Sequence, residues 1–326
     1  MPRRNGALFL VWPAAVLALT LAVVPAGAEP ITLATLGDSL TDTYVHRPYS
    51  GDNLSWTDQL KSLRSAEVTV FNKALFGTTS AGLLTQGQDT ATADLVRQGM
   101  VHYATLIVGA NDMLAFVGQL TKTGSADPVA LVTNLVKNIG TALDTLRAAG
   151  HVAVVLGNLP DIGSTPYFQG ALAKAPALLH LITGVTQNAN AQIAALARVR
   201  GIPVVDLYSL NNRPLQPLTL GGVPVNGLTY GPDRFHPSTL GQGLIANSVL
   251  EAFRVAYHLD VTNLHLSDRD ILREAGIPFR GGSDFNVSPY VLYHPSPEPS
   301  TLVLLSAGAI GLLGYGRRRR RMPTAA

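Results

Sequence analysis

The chain has 326 residues, is 47% hydrophobic and contains no cysteine, which excludes disulfides and thiolate metal sites and leaves an apolar core to hold the fold. Its net charge of +3 comes from the two ends: seven of the 24 Lys and Arg lie at positions 3, 4 and 317–321, and one of the 21 acidic residues is Glu298, so the body has 17 basic against 20 acidic residues and a charge of −3. A slightly acidic body without a basic run excludes nucleic acid as a partner.

In chain order, residues 1–28 read as a secretory signal. Arg3 and Arg4 give the positive start, an apolar run covers 7–24, and Pro25 with Ala26-Gly27-Ala28 supplies the break and the small-residue cleavage site, leaving Glu29 as the first mature residue. An uncleaved membrane anchor is the alternative for the same run. The body, 29–258, then alternates short apolar runs with longer amphipathic ones. Strands are expected at 31–36, 68–71, 105–108, 152–156 and 202–206, each rich in Val, Ile, Leu or Thr. Helices are expected at 56–64, 94–101, 128–146, 171–199 with an interruption near Pro176, and 237–257; Asp127 caps the third, with Pro128 in its first turn and Gly150 past its end. Strand alternating with helix is the pattern of a three-layer α/β/α fold on a mainly parallel five-stranded sheet. Such folds bind ligands outside the carboxyl ends of the strands.

Three motifs fall at such ends or at the opening of the last helix: Gly37-Asp38-Ser39-Leu40, Gly109-Ala110-Asn111-Asp112, and Asp233-Arg234-Phe235-His236-Pro237. Ser39, where the first strand turns into a helix, is a candidate nucleophile, and free N–H groups at a helix start would face developing negative charge. His236 is the candidate base, with Asp233 one helical turn before it to orient the imidazole. Asn111 is a candidate side-chain oxyanion donor, and Gly77, in the run that follows the second strand, can offer a backbone N–H with an unusual φ. Each residue also has an ordinary reading. Ser39 and Asp233 could be helix caps, Asn111 a turn residue and His236 a solvated first-turn side chain. Two apolar loops, 164–184 and 215–230, could line an acyl pocket or simply cover the core.

With these motifs in place the chain resembles an SGNH hydrolase of the GDSL esterase/lipase family, matching Ser39, Gly77, Asn111 and His236 in its four blocks and Asp233 in the triad. Further matches are Gly51-Asp52-Asn53-Leu54-Ser55-Trp56, Leu159-Pro160-Asp161-Ile162-Gly163 and the run from His236 to Ala246; together they span roughly 31–257. The resemblance implies a flavodoxin-like sheet, serine-esterase chemistry and no metal or organic cofactor. It also implies that Asp38 and Asp112 shape loops without acting as acid or base. The expected function is an exported esterase/lipase acting through an acyl-enzyme. An O-acetyl esterase acting on extracellular polysaccharide and a non-catalytic surface matrix protein on a hydrolase scaffold are the alternatives. A metal phosphoesterase would need clustered His and Asp ligands, and the sequence has no Gly-Asn-His or His-x-His.

Beyond 258 the pattern decays. Residues 259–296, with one short helix at 267–275, read as a terminal extension and spacer. Residues 297–321 resemble a PEP-CTERM sorting tag: Pro297-Glu298-Pro299-Ser300, an apolar stretch and five arginines. That resemblance implies a transient transmembrane anchor in the inner membrane with its arginines inside, cleavage by an exosortase-type protease after signal peptidase has acted at the other end, and release to the cell surface or beyond. The stretch is near the lower limit of about 17 residues for a span, and a permanent anchor is the alternative.

Overall fold

The computed structural model describes residues 30–45, 47, 51–211 and 218–293. The expected signal at 1–28 and the expected sorting tag with its membrane segment lie outside them. Among the described residues, no helix is long and apolar enough to cross a membrane.

The expected alternation builds a sheet flanked by helices. Strand β1 (Ile31–Gly37) is followed by α1 (Trp56–Leu63) and β2 (Val68–Asn72); α2 (Ser80–Thr85) and α3 (Gln88–Arg97) lead to β3 (Tyr103–Ile107). Helices α4 (Ala110–Thr123) and α5 (Pro128–Ala149) precede β4 (Ala153–Gly157); α6 (Pro166–Ala171) and α7 (Pro176–Arg200) precede β5 (Val204–Val205). Then come α8 (Leu207–Asn211), a short hairpin of β6 (Thr219–Leu220) and β7 (Val223–Pro224), α9 (Thr239–Tyr257), α10 (Asp268–Glu274) and β8 (Val291–Leu292).

The main sheet runs in the order β2-β1-β3-β4-β5-β8. The first five strands are parallel, and β8 pairs antiparallel to β5, Val204 opposite Leu292. The sheet thus has six strands instead of the expected five. Strand residues alternate between two cores, as a sheet covered on both faces requires. Leu33, Ile107, Val155 and Val205 face α1 and α9, while Leu36, Leu106, Leu156 and Val204 face the α4, α5 and α7 side.

Three departures from the sequence reading have physical causes. Helix α4 was not expected, because Gly109-Ala110-Asn111-Asp112 reads as a turn; its buried Met113, Phe116 and Val117 nevertheless follow helical spacing, and Gly124 closes it at φ 73°. Helix α3 spans Gln88–Arg97, where 94–101 was expected; Gly99, at φ 67°, turns the chain toward β3 before residue 101. Residues 259–293, expected as a spacer, pack onto the body. Leu264, Leu266, Ile271, Leu272, Val287 and Tyr290 belong to the core that α9 builds. Gly243 of α9 makes room for α10, since a Cβ there would lie 2.7 Å from Ile271 Cγ1. The Asn247 side chain bridges Leu266 N–H and C=O at 2.9 and 2.7 Å, and Arg64 reaches Asp270 at 2.8 Å.

Candidate active site

The site lies at the carboxyl ends of β1 and β3. Gly37 ends β1 at φ 145°, where a Cβ would sit 1.9 Å from Ile107 O, so only glycine lets the two strand ends approach this closely. The Gln88 side chain clamps that end, accepting from Gly37 N–H at 2.9 Å and donating to Gly37 C=O at 3.1 Å. Ser39 follows on a tight turn. Asp38 Oδ1 accepts Leu40 N–H at 3.0 Å, and Asp38 C=O accepts Thr41 and Asp42 N–H at 3.0 and 2.9 Å. The turn does not continue as a helix, so Ser39 does not stand at a helix start as expected; the first helix, α1, begins at Trp56, where it was expected. The cause is Asp42, whose carboxylate takes Thr43 N–H at 2.7 Å and diverts the backbone from the next helical bond.

The Asp38 carboxyl is fully enclosed, and burial pushes its pKa from the usual 3.8 up to about 7 against the pull of the Leu40 N–H. Asp112 is also raised by burial, countered by Ser80, whose N–H and hydroxyl both donate to it at 2.7 Å.

His236 sits on a loop tied at both ends. Gly231 N–H donates to His236 C=O at 2.8 Å and Ser238 N–H to Thr229 C=O at 2.8 Å. Asp233 Oδ1 accepts the N–H groups of Phe235 and His236, each at 3.0 Å, while Oδ2 lies 2.5 Å from His236 Nδ1. Asp233 therefore reaches the ring through a turn, where one helical turn was expected; Arg234 occupies the left-handed region at φ 59°. On the far side of the ring, His236 Nε2 lies 2.9 Å from Ser39 Oγ, and both side chains are buried. The rings of Phe235, Phe76 and Tyr44 surround the imidazole with centroids 5.1, 6.3 and 6.4 Å away.

The expected last helix starts at Thr239 with Ser238 as cap residue, but Ser238 makes no side-chain cap bond. Asn53 Oδ1 accepts Thr239 N–H at 2.8 Å in its place, and Gln242 Oε1 accepts Trp56 N–H at 3.0 Å, locking the starts of α1 and α9 together beneath the site.

Asn111 stands in the first turn of α4, after Gly109 at φ 129°. Its Nδ2 donates to Thr78 C=O at 3.0 Å, which ties it to the loop carrying Gly77. Gly77 is exposed at φ 75°. That loop is held by Asp42 Oδ2, which accepts Phe76 N–H at 2.9 Å and pairs with Arg47 at 2.6 Å.

Three of the five expected residues thus meet directly, and a fourth shares a cavity with one of them. Ser39, His236 and Asp233 form one hydrogen-bonded chain, and Asn111 borders the same cavity as Ser39. Gly77 is brought near through Thr78 and does not line that cavity. Sequence reasoning missed Asp42 and Gln88, which hold the two loops. No motif spacing marks either one, since Gln88 lies 51 residues from its partner Gly37 and Asp42 lies 34 from Phe76.

The cavity next to Ser39 has a volume of about 260 Å³. Leu40, Leu207, Leu210, Phe235, Leu244 and Ile245 supply much of its wall. Both expected loops contribute, with Thr165, Pro166 and Gln169 from one and Leu218, Thr229 and Tyr230 from the other. Burial raises the Tyr230 phenol to about 12, so it stays neutral there. Among the described residues, no three His, Cys, Asp or Glu side chains gather as metal ligands. A hydroxyl on an imidazole whose second nitrogen meets a carboxylate is an arrangement able to attack a carbonyl and return the proton to a leaving group.

The family model for GDSL-like lipases/acylhydrolases matches residues 33–249. The chain belongs to that family. It is therefore an ester hydrolase, and a PEP-CTERM protein-sorting motif matches 297–321, marking it for export and sorting. No curated protein matches it in sequence. Among solved structures, a lipase from a goat rumen metagenome is 19% identical over 69% of this chain and 97% of that lipase, with a TM-score of 0.49. A variant of an acetyl xylan esterase from Geobacillus stearothermophilus is 16% identical over 69% and 94%, at 0.47. A lipase/acylhydrolase from Enterococcus faecalis is 18% identical over 69% and 96%, at 0.45.

Proposed function

We propose that this hydrolase is an exported serine esterase of lipase type that cleaves carboxylic esters through an acyl-enzyme on Ser39. His236 Nε2 takes the hydroxyl proton as Oγ attacks the ester carbonyl, and Asp233 holds the ring and stabilises the imidazolium. The carbonyl electron pair moves onto oxygen, where the backbone N–H groups of Ser39 and Gly77 and the Asn111 amide receive it. Collapse expels the alcohol, protonated by His236. Water, deprotonated by the same histidine, then attacks the acyl-enzyme and releases the acid. No cofactor enters this cycle.

The observation that carries the reading is the continuous chain from Asp233 to His236 to Ser39, at 2.5 and 2.9 Å, beside a cavity of ligand size. Signal peptidase cleavage after Ala28, transient anchoring by the tail and exosortase-type processing near Pro297 complete the proposed route to the surface. Replacing Ser39 by Ala tests the chemistry. Turnover of a p-nitrophenyl ester should vanish while the circular dichroism spectrum stays unchanged, and wild-type turnover in that variant would refute the assignment.

A further inference from the structure

The wall of the cavity beside Ser39 is mainly apolar. Its apolar side chains come from separate elements, with Leu40 behind the nucleophile, Leu207 and Leu210 on α8, and Leu244 and Ile245 on α9. Most of the polar side chains in the wall are already used by the fold. Tyr230 OH donates to Asn211 Oδ1 at 2.6 Å, and Asn211 Nδ2 to Ser164 Oγ at 3.1 Å. Ser164 Oγ donates to Asp161 C=O at 2.8 Å, Thr165 Oγ1 to Ile162 C=O at 2.7 Å and Gln169 Nε2 to Gly163 C=O at 2.7 Å. A polar substituent seated there would shed its water and find few free partners in exchange. An alkyl chain gives up no hydrogen bond.

Size points the same way. An acetyl group carries one methyl beyond its carbonyl and would leave most of the 260 Å³ empty, and apolar space is a poor host for water. Two exposed apolar side chains also adjoin wall residues along the chain. Tyr167, 53% exposed, follows wall residue Pro166, and Leu228, 49% exposed, stands between wall residues Gly227 and Thr229.

We propose that the acyl part of the substrate is a medium-length hydrocarbon chain, roughly six to ten carbons, that fills this cavity while its carbonyl lies at Ser39 and Asn111. The proposal rests on the serine-esterase reading and adds to it the substrate class. It places the discrimination between esters in the wall and leaves bond cleavage to the hydrogen-bonded residues.

The test measures kcat/KM of the purified protein on p-nitrophenyl acetate, butyrate, hexanoate and octanoate, all below their aggregation limits, and on acetylated xylo-oligosaccharides. Each added methylene that is buried should raise kcat/KM about fourfold, so the six that separate acetate from octanoate should together give a gain of about four thousandfold. Leu210→Trp, which fills the cavity from α8, should lower the octanoate-to-acetate ratio at least about tenfold. Thr229→Trp serves as a second obstruction from another loop, and circular dichroism shows that each variant is folded. Equal or better cleavage of acetate, preference for the acetylated oligosaccharide, or an unchanged ratio in both folded variants overturns the proposal and leaves the serine-esterase reading standing. Failure to cleave any of these esters brings down both.

Discussion

Ser39, His236 and Asp233 are fixed by hydrogen bonds of 2.9 and 2.5 Å between neighbours in two short motifs, whereas the cavity that Ser39 borders is walled largely by apolar side chains from α8, α9 and two loops. The first region is specified by a handful of polar atoms whose partners are dictated by residue spacing. The second is specified by shape, which emerges only when distant segments close on one another. Chemistry and substrate choice are thus held by different forces, and substitutions in the two regions should produce different kinetic signatures.

The largest effect belongs to the hydrogen-bonded region. His236→Ala should cut turnover at least about 10³-fold for every ester regardless of acyl length, because the proton transfer is lost; stopped-assay kcat values on acetate and octanoate check this. Asn111→Ala comes next, with a fall of about 10²–10³ in kcat and little change in KM, the mark of an interaction made only in the transition state. A matching rise in KM with kcat intact would instead make Asn111 a substrate-positioning group.

A wall residue should behave in the opposite way. Leu244→Ala removes buried hydrocarbon from α9, where Leu244 is 3% exposed. It should cost about 2–4 kcal/mol of stability by urea denaturation and raise KM for octanoate several-fold more than it lowers kcat. If kcat dropped as far as in Asn111→Ala, the separation between the two regions would dissolve.

Much of the first region was legible in sequence because its information is local. Asp233 and His236 are three apart, and Ser39 sits two residues after a strand-ending glycine, so residue type and spacing carry the chemistry. The five parallel strands were legible too, since runs of Val, Ile and Leu buried on both faces leave a continuous apolar signature. Other features were not. Ser39 was expected at a helix start, yet the Asp42 side chain competes for Thr43 N–H and ends the helical turn. Helix α4 hid behind a turn-like opening. Residues 259–293 look like a spacer because their buried side chains, such as Leu266, Ile271 and Tyr290, follow no regular period; they are held by a complementary surface that includes Gly243. The two loops of the cavity wall were among the readings of the sequence, but its helical part was illegible for the same reason. Leu207 and Leu244 each read as ordinary core, and nothing in either segment says that they face a common space.

The smallest expected effect concerns Asp38, the residue before Ser39 in the same turn. Its pKa in the fold is raised to about 7 by burial, from an ordinary value of 3.8. Over that interval the folded protein holds a proton that the unfolded chain releases, so this group's stabilising contribution is fully present below about pH 4 and is lost as pH rises through about 7. Asp38→Asn keeps an acceptor for Leu40 N–H and cannot ionise. Comparing urea midpoints of both proteins at pH 5 and pH 8, the wild type should lose stability relative to the variant at the higher pH. Parallel curves would show that Asp38 is not protonated in the fold.

Whether Ser39 is the nucleophile is read from the intact mass of the protein after brief exposure to a fluorophosphonate, followed by peptide mapping. A single adduct per chain, carried by the peptide containing Ser39 and absent in His236→Ala, is the expected result. Modification of another residue, or a Ser39 that stays unmodified while ester hydrolysis proceeds, would contradict the account.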